Sequence, residues 1–292
     1  MTIQPSKLAF ALASAAMLTV AGCGGDSDSS SGGGGVPPVA TTASVSATEI
    51  DGAIENATVC LDTHLNGSCD SGEPSGRTNA AGSVTLEVPL ADVGKYPLIA
   101  VVGTDATDAD TGPVTTANTL KAPADQALVL SPLTTLVQAY LDSTGGRSAD
   151  AAAAVQAQLG LGTSAFADFT QDASDGGKFA GTLARLIVVT TQQQLTATAG
   201  ALGGGDKPLT AVQISAAINA RLIELLPALA LQVRDDPTLN NPALSIAEKE
   251  AKMAAAATEM ADASGLSKDN IGLVVTNLDK TTNAKAIWPS VP

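Results

Sequence analysis

Cys60-Leu-Asp-Thr-His-Leu-Asn-Gly-Ser-Cys-Asp-Ser-Gly-Glu-Pro74 is the stretch from which the rest of this chain can be read. Counted from Asp62 as position 1, His64 falls at position 3, Asn66 at 5, Gly67 at 6, Asp70 at 9 and Glu73 at 12. Oxygen-bearing side chains at this spacing, with a glycine at the sharp turn, are the pattern of a twelve-residue calcium loop, because a hard cation gathers about six to eight oxygens. The expected metal ligands are Asp62, His64, Asn66, the backbone carbonyl of Ser68, Asp70 and Glu73, with Ca²⁺ as the ion. His64 is the departure: it brings a neutral nitrogen where Asp or Asn is usual, which predicts weak binding. It stands either as a bystander in the loop or as an imidazole ligand. It is also the only histidine, so any Ser-His-Asp or Cys-His mechanism would have to use it, from inside a Gly- and Asp-rich turn.

Upstream, Lys7 opens a segment whose apolar run, Leu8 to Val20, is short for a membrane span. Residues 1–22 therefore read as a signal peptide. Val20-Ala21-Gly22-Cys23 resembles the bacterial lipobox, in which small residues precede a cysteine that becomes the lipidated N-terminus. The resemblance implies lipidation of Cys23 and anchorage to a membrane. Gly24 rather than Asp follows the cysteine, which by the same resemblance favours the outer membrane. Residues 23–48, rich in Gly, Ser, Pro and Thr, read as a flexible tether. Export also bears on Cys60 and Cys69. With His64 and Asp70 they form a set of zinc donors, but structural zinc sites usually draw on two separated pairs. In an oxidising compartment nearby cysteines pair, so a Cys60–Cys69 disulfide is expected.

Around the loop the pattern has period two. Ala57 to Leu61 reads as a strand entering it. Arg77-Thr78, the turn Asn79 to Gly82 and the alternating arm Ser83 to Val88 read as a hairpin, and Tyr96 to Val102 as a core strand. Leu120 and Ala127 to Leu130 offer further strands. The run Asp51-Gly52, Ala57 to Asp62, Asn66-Gly67, Asp70 to Pro74 and Asn79 to Gly82 resembles the carboxypeptidase-regulatory-like, or transthyretin-like, β-sandwich. It is similar also to the B-type repeats of serine-aspartate-repeat adhesins, which carry an EF-hand-like calcium loop. The resemblance spans residues 49–130 and implies a calcium-stiffened module without catalysis.

At Ser131-Pro132, an N-cap followed by a first-turn proline, the pattern turns helical. Expected helices cover Leu133 to Leu141, Ala149 to Leu159, a stretch through Phe179, Leu183, Leu186 and Ile187 ending near Gly200, and a final short helix through Leu278. Thr210 with Gln213 and Ser245 with Glu248 read as capping boxes. Pro227 kinks or splits the helix that the first of these opens. Residues 131–292 are thus expected to be an Ala-rich bundle of five or six helices, and the fold class α+β with two domains.

Composition narrows function. A net charge of −14 repels nucleic acid. Aromatics make up 2 % of residues, too few for a sugar-binding platform. Gly203 to Lys207 lacks the Ser or Thr that a phosphate loop needs after its lysine. Asp105, Asp108 and Asp110 read as a solvated turn or as ligands completing a cation site. No catalytic residue stands out. The leading expectation is a non-enzymatic cell-envelope lipoprotein whose helical part binds a protein partner or packs as a structural element. The alternatives are an outward-facing adhesion module and a hydrolase with acidic residues between the two domains.

Overall fold

The computed structural model describes residues 41–202 and 208–278; the expected signal peptide, Cys23, most of the tether, Gly203 to Lys207 and Trp288 lie outside them. The described chain opens on β1, Thr42–Glu49, all but its last residue inside the stretch expected to be tether. The strand follows from an alternation hidden in small residues. Ala43, Val45, Ala47 and Glu49 turn inward, while Thr42, Ser44 and Ser46 lie exposed. The wet face is tied across to β5, Ser83–Pro89, by Ser44 Oγ on Glu87 Oε1 at 2.6 Å and by Ser46 with Thr85 at 2.9 Å.

Two sheets face each other. In the first, β1 lies between β5, antiparallel to it, and β10, Val129–Leu130, parallel to it. The second is antiparallel, with β3, Thr58–Leu61, and β6, Leu98–Val102, at its centre and β4, Ser75–Arg77, and β9, Asn118–Ala122, at its edges. Their inner faces form one cluster, with Ala47, Leu86 and Val88 from one side and Val59, Leu98 and Ala100 from the other. A small ribbon of β2, Ile54–Glu55, β7, Thr107–Asp108, and β8, Gly112–Pro113, sits apart from them.

The expected hairpin across Asn79 to Gly82 is not one. Its arms belong to different sheets: β4 pairs with β3, and β5 with β1. The turn itself forms, closed by Gly82 N–H on Asn79 O at 2.8 Å and by the Asn79 side chain on two backbone N–H groups. β4 is exposed at both ends and makes only three register pairs with β3. The longer alternating arm takes the better partner, seven residues of β1. Gly82 suits this crossing for two reasons: its φ is +69°, and a Cβ there would fall 2.4 Å from the carbonyl oxygen of Glu49.

Seven α-helices follow among the described residues, rather than five or six: α1 Pro132–Thr144, α2 Ser148–Leu159, α3 Asp175–Thr198, α4 Ala211–Glu224, α5 Leu226–Asp235, α6 Ile246–Ser264 and α7 Ile271–Leu278. The extra member comes from the split at Pro227, which starts α5 and bends it 66° from α4. Capping boxes at Thr210 and Ser245 open α4 and α6, and a third at Ser131 opens α1. No single described helix is long and apolar enough to cross a membrane.

The boundary expected at residue 131 is where sheet passes into helix, and the two halves share buried contacts there. Thr135 Oγ1 accepts the backbone N–H of Lys121 in β9 at 2.8 Å, and Thr134 Oγ1 donates to Lys121 O at 2.7 Å. Ile50 and Val129, from the β part, belong to the helical core. The described residues all fall in one compact unit.

Gly82→Ala should lower the melting temperature well beyond Gly94→Ala. Gly94 has a similar φ, +73°, but open space around it. Both changes place a side chain at positive φ, at about 1–2 kcal/mol, and only Gly82→Ala also meets backbone. Equal losses in thermal melts would disprove the crossing contact.

Candidate functional sites

The loop from Asp62 to Glu73 connects β3 to β4, and its own polar groups hold it. Asp62 spends its carboxylate on the backbone, accepting the N–H of Asn66 at 3.0 Å and of Gly67 at 2.8 Å. Asn66 accepts from Ser68 N–H at 2.9 Å and donates to Asp70 Oδ2 at 2.6 Å. Glu73 is the hub. Its Oε1 accepts from Thr63 N–H at 2.7 Å and from His64 N–H at 3.2 Å, and its Oε2 from Asp70 N–H at 2.9 Å. Burial alone would raise the Glu73 carboxyl; the Asp70 N–H, the His64 ring and the Thr63 hydroxyl outweigh it and hold it below the usual range.

His64 Nδ1 lies 2.9 Å from Glu73 Oε1 and 3.5 Å from Asp70 Oδ2. These three residues bring ligand atoms within 4.8 Å of one another and can hold a metal ion. Asp62, the first expected ligand, stands outside that set, because its oxygens shape the turn. Asn66 and Ser68 likewise serve the loop's own hydrogen bonds.

Cys60, fully buried in β3, is joined to Cys69 by a disulfide. Their sulfurs are thereby withdrawn from any zinc set. A ring this short removes about 2.5–3 kcal/mol of unfolded-chain entropy, less any strain. The loop also meets the helices: a Cβ on Gly67 would lie 2.7 Å from Val212 Cγ1 at the start of α4.

A second constellation holds Asp108 and Asp110 of the expected acidic cluster together with residues that no motif marks. Between the sandwich and helices α3 and α6 lies a cavity of about 320 Å³, lined among others by Glu49, Asp51, Asp108, Asp110, Asn118 and Arg185. Glu49 is the last residue of β1, Asp51 lies two residues on, and Asp108 ends β7. Arg185, on α3, is the cavity's one cation. Its Nη1 donates to Asp51 Oδ2 at 2.9 Å and lies 3.7 Å from Asp108 Oδ2, while its Nε donates to Glu250 of α6 at 2.8 Å.

Of the three aspartates read as one turn, Asp105 instead pairs at the surface with Arg77 at 2.9 Å. Asp108 is buried and accepts from Asp110 N–H at 2.8 Å and Thr111 Oγ1 at 2.7 Å. For Glu49, only period-two alternation placing it inward would have pointed to this site. The strand that carries it is made of Ala, Ser and Thr, which hides that alternation.

Glu49 is wholly buried, and neither carboxylate oxygen has a hydrogen-bond partner. Burial, with Asp51 and Asp108 nearby, pushes its carboxyl well above the usual range. Burial outweighs Arg185 at Asp51 and carries that carboxyl to about 7. Such groups tune acid–base chemistry or bind cations.

Comparison with protein-family models, with curated proteins and with solved structures finds no match to this chain.

The raised carboxyls set a pH dependence. Above the ordinary carboxylate value of about 4, the folded chain holds a proton at Asp51, up to about 7, and one at Glu49, that the unfolded chain has released. Their contribution to stability is therefore present at low pH and falls as pH rises through that window. Glu73, held low, acts oppositely and loses its contribution as pH drops below the ordinary glutamate range. In denaturant titrations across this window Glu49→Gln should flatten the decline; a parent-like slope would disprove the assignment.

Proposed function

We propose that this chain is a non-enzymatic cell-envelope lipoprotein, anchored through acyl groups on Cys23 and carrying a rigid β–α body. The observation that supports it is the Cys60–Cys69 disulfide, whose one half is buried in a central strand. Such a bond persists in an oxidising compartment, which agrees with the export signal expected at residues 1–22. We assign the two facing sheets to a transthyretin-like build. The helices, of which α6 holds the run Ala254-Ala255-Ala256-Ala257, then present the surface for a protein partner in the envelope. The resemblance to adhesin repeats would place that surface outside the cell. Protease accessibility on intact cells separates that orientation from a periplasmic one.

A hydrolase acting through the interior acids is the second reading. It is favoured by the two raised carboxyls of Glu49 and Asp51 beside a cavity. Against it stands the lining, which offers no aromatic platform, and the pairing of Asp51 to Arg185. Turnover of ester, peptide or glycoside substrates that disappears in Glu49→Gln would establish it.

The anchor is tested directly. Cys23→Ala should abolish acylation and release the protein from membranes or block its processing, since stable anchorage takes more than one acyl chain. An intact mass that shows unmodified Cys23 in the parent protein would refute the reading.

We assign the ion of the loop as Ca²⁺, from the carboxylate oxygens of Asp70 and Glu73 that lie with His64 on a turn shaped by Asp62 and Asn66. With an imidazole in the set, affinity belongs with weak extracellular sites, at about 10⁻⁴–10⁻³ M. Millimolar Ca²⁺ should then raise the melting temperature slightly, by about 1 kcal/mol of stabilisation. The rise should vanish in Asp70→Asn and grow in His64→Asp. A response to Zn²⁺ and none to Ca²⁺ would reassign the ion.

A further inference from the structure

We infer that the cavity between the sandwich and helices α3 and α6 is a binding site for a small organic cation bearing N–H donors, an aliphatic amine or guanidine. This goes beyond the anchored-module reading and does not depend on the acyl group at Cys23. The inference begins with unmet acceptors. Both oxygens of Glu49, Oδ1 of Asp51 and Oδ1 of Asn118 are buried with no hydrogen-bond partner. All three residues line the same cavity, and each is at least nine-tenths buried. A buried acceptor without a donor loses its hydration with nothing to replace it, so four in one place describe a shape awaiting donors.

Charge points the same way. Glu49, Asp51, Asp108, Asp110 and Glu250 line the cavity against the single cation Arg185. That guanidinium is engaged by Asp51 and Glu250, which leaves it ill-placed to receive an anion. An acidic cleft with low-dielectric walls concentrates cations.

A metal ion is the poorer fit. Among the described residues, the one group of three His, Cys, Asp or Glu side chains whose ligand atoms lie within 4.8 Å of one another is His64, Asp70 and Glu73. The cavity's carboxylates are more widely spread, as suits several N–H groups along a carbon chain. Its walls match such a ligand. Ile54, Val102, Val114 and Leu120 supply apolar surface for methylenes beside the acids. The volume, about 320 Å³, is at the small end of ligand pockets. Asp110 is exposed and stands where an ammonium would enter.

The test is calorimetry on the purified full chain with cadaverine and agmatine, and with CaCl₂ and hexanoate as controls. The expected result is saturable one-to-one binding of at least one amine. It should weaken at least about tenfold in Glu49→Gln and strengthen as pH rises, because the ammonium takes the place of the proton that the Glu49 carboxyl otherwise holds. Asp110→Asn, an isosteric change at an exposed position, should weaken it as well, with the melting temperature checked against the parent. Asp150→Asn, at an exposed acid of α2 outside the lining, should leave it unchanged. No saturable binding of either amine up to about 10 mM would overturn the inference. So would amine binding indifferent to both cavity variants, or Ca²⁺ binding that requires Glu49.

Discussion

Arg185 is the group on which the joining of sheet and helix depends. It is nearly buried on α3 and reaches two ways at once, to Asp51 beside β1 and to Glu250 on α6. A buried ion pair is not of itself a source of net stability, because desolvation offsets the attraction. Its removal is the revealing case: Asp51 and Asp108 would remain buried with no counter-charge, a loss typically of about 3–5 kcal/mol. The guanidinium thus fixes where α3 lies against the sandwich, and so where the cavity opens. The hydroxyls of Thr134 and Thr135, in the first turn of α1, make the second junction through neutral hydrogen bonds to the Lys121 backbone of β9. One contact is long-range and electrostatic, the other local and geometric, and together they make one body of two kinds of secondary structure.

Helix boundaries were the most legible part of the sequence. Ser131-Pro132, Thr210 with Gln213 and Ser245 with Glu248 carry their chemistry within three residues, so local sequence decides them. Strands at the sandwich core were legible where Val, Leu and Ile alternate, as in β5. β1 was not, because its inward residues are alanines, one valine and a glutamate, and Ala-Ser-Thr composition reads as linker. The false hairpin at Asn79 to Gly82 has the same origin. Its turn is local and formed as read, but the partner of β5 lies some forty residues upstream in a strand the composition concealed.

The two sites divide along the same line. Within the loop every hydrogen bond spans ten residues or fewer, so its outline was readable, though hydrogen bonding to Asn66 and Gly67 took Asp62 for the turn. The interior constellation joins Glu49 and Asp51 to Asp108, Asp110 and Arg185, across more than a hundred residues of chain. No spacing rule reaches that far. It exists because the N-terminal strand, a ribbon and a helix converge, and convergence is a property of the fold.

The position of β1 has a mechanical side. It is the first strand of the body, yet it lies in the middle of its sheet, flanked by β5 and β10. A pull on the chain from its N-terminal side would run lengthwise along β1, across the seven register pairs to β5. Bonds set at right angles to such a load share it and must break together, whereas an edge strand peeled from its end gives way one bond at a time. A body held by its leading end would therefore take drag or tension in its sturdier direction. Slippage by one residue would also turn Glu49 outward and dismantle the cavity, so that tension high enough to move the strand would empty the site before the sandwich came apart.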